Sequence, residues 1–186
     1  MTRTYASAVA GWLAATLACA DAAADLPPSV EQDGFQLAQV GEGRLTWLGF
    51  GIYEASLWTP GGRFTGFRDG EPVALALWYE RKFTREQLIE ITSGEWERLE
   101  LAPAPVRAAW VQQLERLWQD VRKGDNLTAV VVPGRETVFY NDAGLLGRLR
   151  DPDFGPAFLR IWLDTRTVIQ DLRVQLLGGP GDILNP

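Results

Sequence analysis

Between Arg44 and Trp58 the chain reads as one long β segment with apolar residues on both of its faces. Even positions carry Arg44, Thr46, Leu48, Phe50 and Ile52; odd positions carry Leu45, Trp47, Gly49, Gly51 and Tyr53. Strands apolar on both faces are those covered on both sides, so the pattern predicts a central strand. A bend is expected where Gly49 and Gly51 sit close together. Such a strand demands a sheet with a covering layer, and the rest of the sequence must supply it.

The remaining segments fall into groups. Leu26-Pro27-Pro28 to Gly34 reads as a surface lead-in, Phe35–Val40 as a first strand, and Gly41-Glu42-Gly43 as a turn. Pro60-Gly61-Gly62 ends the long segment, and a loop from Gly66 to Pro72 leads to a strand over Val73–Tyr79. Thr84-Arg85-Glu86-Gln87 has the spacing of a capping box, with Phe83 and Leu88 placed as a hydrophobic staple. Leu88, Thr92, Trp96 and Leu99 share one side of the helix it opens. A second helix is expected after Pro105, with Val106, Trp110, Leu114, Leu117 and Val121 as its buried stripe and Gly124 as its C-cap. Strands follow at Leu127–Val132, Glu136–Tyr140 and Leu145–Leu149, separated by Pro133-Gly134 and Asn141-Asp142-Ala143-Gly144 turns. Asp151-Pro152 starts a third helix, and Thr167-Val168-Ile169-Gln170 a last one closed by Gly178 and Gly179. Strands, two helices, strands, two helices is the order of an α+β protein: an open-faced β-sandwich, antiparallel, with helices layered on one face. No repeat or composition shift marks a second domain.

The first 24 residues differ from the rest. Arg3 precedes a small apolar run from Ala6 to Ala18, and Ala20-Asp21-Ala22 and Ala22-Ala23-Ala24 offer small-residue cleavage sites. That order predicts a signal peptide over residues 1–24, too short for a mature membrane anchor, and hence a periplasmic or secreted protein with no transmembrane span. Cleavage there would remove Cys19, the only cysteine, and the chain contains no histidine. Hydrolases of the Ser-His and Cys-His types and the usual N/S zinc sites are thereby excluded. Neither a metal site nor a cofactor is expected. The net charge of −6 argues against nucleic acid and anionic membrane as partners. Eight tryptophans suit either a large aromatic core or an apolar pocket.

Several segments resemble one family when taken in order. Phe50-Gly51-Ile52-Tyr53-Glu54-Ala55 follows a Gly41-Glu42-Gly43-Arg44 turn, and Phe83-Thr84-Arg85-Glu86 opens a helix. Pro133-Gly134-Arg135-Glu136-Thr137-Val138-Phe139-Tyr140 forms a hairpin before Gly144-Leu145-Leu146-Gly147. With Phe154 to Leu163 and Leu176-Leu177-Gly178, these resemble the bacterial branch of the chalcone isomerase superfamily, over roughly Phe35 to Gly178. The resemblance implies one chalcone isomerase-like domain over residues 25–186. It also implies that an isomerase's polar groups should fall at matching positions. The family Arg falls on Arg44, but the strand Thr falls on Leu48, the Tyr on Phe83, the helix Asn on Glu90 and the late Thr near Ile161. Closing a flavanone ring needs donors or a cation for the phenolate and the developing enolate, and these apolar side chains supply none. A buried Glu90 would oppose an anionic substrate. No catalytic residue is therefore inherited.

What the resemblance leaves is an apolar cleft for a small amphipathic ligand such as a fatty acid, which other branches bind through an Arg and a Tyr. The candidate lining is Arg44, Thr46, Leu48, Phe50, Tyr53, Tyr79, Phe83 and Ile161, with Arg44 meeting the carboxylate and the even positions of its strand the hydrocarbon. Two alternatives stand beside it: an intramolecular lyase using Arg44 with Tyr53 or Tyr79, and an interaction module with a filled core and exposed tryptophans.

Overall fold

The computed structural model describes residues 25–179, and the predicted signal peptide lies outside them. Six strands form one antiparallel sheet in sequence order: β1 (Ala38–Trp47), β2 (Phe50–Thr59), β3 (Val73–Tyr79), β4 (Asn126–Val132), β5 (Glu136–Asn141) and β6 (Gly144–Leu149). The helices are α1 (Pro28–Gln32), α2 (Arg85–Arg98), α3 (Ala104–Leu117), α4 (Phe154–Leu163) and α5 (Gln170–Leu176). The α+β architecture expected from the order of segments is present.

The core lies between the sheet and α2 to α5. Period two puts Tyr53, Ala55 and Leu57 of β2 on one face beside Leu75, Leu77 and Tyr79 of β3 and Leu127, Ala129 and Val131 of β4. Over them pack Leu88 and Trp96 of α2, Trp110 and Leu114 of α3, and Phe154, Phe158 and Trp162 of α4. Their rings join edge to face: Trp96 contacts Trp110 and Phe154, and Phe158 contacts Trp118, Phe139 and Trp162, with centroids 5.2–5.9 Å apart. Four of the eight tryptophans are thus accounted for by packing in this core.

The capping box of α2 forms as its sequence dictates: Gln87 N–H donates to Thr84 Oγ1 and Thr84 N–H to Gln87 Oε1. The second helix is shorter than its apolar stripe. It ends at Leu117, and Val121 pairs instead in an isolated bridge with Phe83, each accepting the other's N–H. Gly124 turns the chain toward β4 and caps no helix. Helix α4 starts at Phe154, and Asp151 holds its entry by accepting from Asp153 N–H and from the Trp110 indole.

Two expectations are corrected at the start of the sheet. Arg44–Trp58 is not one central strand. It is the second half of edge strand β1 and most of β2, joined by a two-residue turn at Leu48-Gly49. Both turn residues have positive φ, 50° and 78°, as a type I′ hairpin requires. Glycine meets that requirement without cost and leucine does not, so the sequence carried only half of the turn's signature. The apolar residues on both sides of the segment mark an exposed hairpin tip rather than a covered strand. Likewise Gly41 and Gly43 do not turn the chain. They lie within β1, where a Cβ would strike Gln175 of α5, so their lack of side chains lets that helix lie against the strand.

The lead-in also does more than run over the surface. Leu26, Val30, Phe35 and Leu37 pack with Trp58, Ala74, Val130, Val138 and Tyr140 on the second face of the sheet. Asp33 accepts the Tyr140 hydroxyl at 2.7 Å. Among the described residues no helix is long and apolar enough to cross a membrane.

Candidate ligand-binding site

At the end of the sheet where β1 and β2 turn, the helices stand away from the strands and leave an apolar cleft of about 360 Å³. Its walls include Leu45, Leu77 and Leu127 from the sheet, Leu88 from α2, Trp118 from the segment after α3, and Phe158 and Trp162 from α4. The inner walls are buried: Leu77, Trp118 and Phe158 are 4%, 4% and 2% exposed. Trp47, Ile91 and Val168 also line it and are largely exposed, so the cleft opens to solvent there.

Few polar groups enter this lining. Thr46, Tyr53 and Tyr79 bring hydroxyls, and Arg81 brings a guanidinium. Thr92 is committed elsewhere, donating to Leu88 O at 2.8 Å. The Tyr53 oxygen accepts from the Trp162 indole at 2.9 Å, which leaves the phenol proton available to donate. The Tyr53 and Tyr79 rings meet edge to face at 6.1 Å. Burial pushes both phenols well above their ordinary range; for Tyr53 the Trp162 hydrogen bond opposes the shift, and for Tyr79 its neighbour Tyr53 adds to it. Both are therefore neutral donors at physiological pH, not bases. Arg81 is exposed, lies 5.8 Å from the Phe83 ring centroid, and pairs with no carboxylate among the described residues. It is the cation at this cleft.

Thr46, Tyr53, Tyr79 and Phe83 are brought together here, as the sequence suggested. Four other candidates are not. Arg44 pairs across the sheet with Glu54, back to back with the Leu45–Tyr53 pair that faces the cleft. Its guanidinium forms a bidentate ion pair with Glu80, which raises the Arg44 pKa and lowers that of Glu80. Leu48 and Phe50 project at the hairpin tip, 82% and 71% exposed. Ile161 is buried in the core, where its carbonyl accepts the Thr167 hydroxyl. The turn at Leu48-Gly49 and a bulge between Leu45 and Thr46 break the continuous period on which the shared face of Arg44, Thr46, Leu48 and Phe50 rested. Glu90 is exposed and faces no part of the cleft, so it opposes no ligand there.

The residue that sequence reasoning missed is Arg81. A usable signal existed: Leu77, Tyr79, Arg81 and Phe83 follow period two from β3 onward, and all four line the cleft. Among the described residues, no group of three or more His, Cys, Asp or Glu side chains could hold a metal ion.

A six-stranded antiparallel sheet, helices over one face and an apolar cleft at the sheet's end define an α+β protein of the open-sandwich class. The chain belongs to the chalcone isomerase-like family, whose model matches residues 20–178. In structure it is similar to a fatty-acid binding protein of Arabidopsis thaliana, with a TM-score of 0.61 and 11% identity, over 78% of this chain and 88% of that one. No curated protein matches it in sequence.

Proposed function

We propose that this protein binds a fatty acid or a similar single-chain amphipathic molecule in the cleft, without chemistry. The observation that carries the reading is the pairing of a deep hydrocarbon lining with Arg81 at the open side. The volume lies in the range of about 300–1,000 Å³ that suits small-molecule sites. A carboxylate beside Arg81 would gain a charge-assisted, bidentate contact, with the Tyr53, Tyr79 and Thr46 hydroxyls as neutral donors nearby. The chain would run among Leu77, Leu88, Leu127 and Phe158. The Arabidopsis neighbour is described as a fatty-acid binding protein, which supports the reading as an analogy of fold.

The donor set also bears on the isomerase alternative. Two neutral phenols and one exposed cation are a sparse means of holding an enolate, and no general base faces the cleft among its lining residues. The test is native mass spectrometry of the purified protein, followed by calorimetric titration with saturated fatty acids of increasing length. One-to-one binding with affinity rising along the series is expected. Absence of binding at every length sinks the proposal, and conversion of a chalcone to a flavanone would establish the alternative.

The apolar run and small-residue sites before residue 25 support export from the cytoplasm, with the protein acting as a periplasmic or secreted carrier. Mass analysis of the mature N-terminus from the native host is expected to place it close to Asp25.

A further inference from the structure

Trp47, Leu48 and Phe50 stand together at the β1–β2 tip, 68%, 82% and 71% exposed. Two observations mark this patch as a surface that is covered in use, and a third says by what. The first is strain. Leu48 holds φ at 50° in a turn position that suits asparagine or glycine, and in the isolated chain its side chain gains nothing from burial there. The second is continuity, because Trp47 belongs both to the tip and to the lining of the cleft. Ile91 and Val168 extend the same apolar rim at 56% and 70% exposure.

The third is charge. Arg81 and Lys82 lie just past β3, after Glu80, and are exposed, and no carboxylate pairs with either among the described residues. Lys123 lies close enough to Glu80, the partner of Arg44, to help lower its pKa. Both lysines of the sequence therefore flank Glu80, whose carboxylate lies against Gly51 just past the tip, in a chain whose net charge is −6. At physiological salt, charges act over about 8 Å, so this local set governs contact even though the whole chain is acidic. Exposed Trp, Leu and Phe beside unpaired cations match the two requirements of a lipid interface, hydrocarbon to insert and positive charge for the phosphates.

We infer that the β1–β2 tip docks on a phospholipid bilayer. Trp47, Leu48 and Phe50 enter its outer layer, Arg81 and Lys82 face the phosphates, and the cleft mouth is held at the lipid surface. The inference stands whether or not the cleft's ligand is a fatty acid.

Flotation of the purified protein with phosphatidylcholine vesicles, with and without phosphatidylglycerol, tests it. The protein is expected to float with both and more strongly with phosphatidylglycerol, a preference that Lys82→Glu removes. Leu48→Asn separates docking from folding. It should lower vesicle partition about tenfold or more through loss of the inserted side chain, while the melting temperature rises because asparagine suits the turn. A protein that stays with the unfloated fraction, or a Leu48→Asn variant that partitions as well as the parent, overturns the inference. So does a dimer in sedimentation velocity that Leu48→Asn dissolves, since a second copy would then cover the tip.

Discussion

The indole N–H of Trp162 donates to the hydroxyl of Tyr53 at 2.9 Å, tying α4 to β2 across the cleft wall. Tyr53→Phe removes the acceptor and leaves the N–H of a nearly buried tryptophan unsatisfied, at a cost of about 1–3 kcal/mol. It also removes a donor to the ligand head group. Urea unfolding should record the first loss, and fatty-acid titration a several-fold weaker affinity. Tyr79 offers the contrast, because its hydroxyl has no hydrogen-bond partner among the described residues. Tyr79→Phe is expected to weaken binding with little loss of stability. Equal stability losses in the two variants would contradict the bonding pattern.

Arg81→Gln and Arg44→Gln separate the two candidate cations. Arg81 lines the cleft, whereas Arg44 is held by Glu80 on the other side of the sheet. Replacing Arg81 removes a charge-assisted contact of about 1.5–3 kcal/mol, roughly a ten- to hundredfold loss of affinity for a carboxylate. The loss should shrink for the corresponding alcohol, which carries no charge to pair. Arg44→Gln should leave both affinities within experimental error. Calorimetry with the acid and the alcohol reads all four values, and a larger effect at Arg44 would place the head group on the wrong face of the sheet.

The contrast shows where sequence reading reaches and where it stops. Hairpins such as β4–β5 were legible because Pro133-Gly134 marks the turn and short runs of β-branched and aromatic residues mark the strands. The start of α2 was legible because Thr84 and Gln87 carry the cap in their own side chains. The β1–β2 turn was not, because a leucine occupies a position whose usual residues announce it. That missed turn, with the bulge between Leu45 and Thr46, then misplaced residues on both sides of it, although Thr46 still reached the cleft. Arg44 moved to the far face, Leu48 and Phe50 moved to the tip, and the glycines of β1 read as a turn when they serve helix packing. Tyr53, Tyr79 and Phe83 survived because each lies on a segment whose period is unbroken up to the cleft.

Gly41 gives the packing argument a direct test. A Cβ at this position would strike the backbone carbonyl of Gln175, an atom that cannot move aside without shifting α5. Gly41→Ala should therefore destabilise by about 1–3 kcal/mol, the usual cost of overpacking. Gly61 has open space around its Cα, and alanine there should be nearly neutral. Thermal unfolding of the two variants reads the difference. Equal melting temperatures would mean that α5 does not lie against β1 as described.

The Arg44–Glu80 pair predicts a pH dependence that owes nothing to the cleft. Its hydrogen bonds to Arg44 hold the Glu80 carboxyl below its ordinary value, against a smaller opposing effect of burial. The folded protein therefore releases this proton at lower pH than the unfolded chain does. The stability it contributes is complete above the ordinary carboxylate pKa and is lost as pH falls through the lowered value. Arg44 is 54% exposed, so solvent screening limits the pair to about 0.5–1 kcal/mol. Glu80→Gln should show that deficit in urea unfolding at neutral pH. The gap to the parent should close in acid, as pH falls from the ordinary carboxylate range through the lowered value and the parent's carboxylate takes up its proton. A gap that persists unchanged into acid would mean that Glu80 acts through its packing over Gly51 and not through its charge.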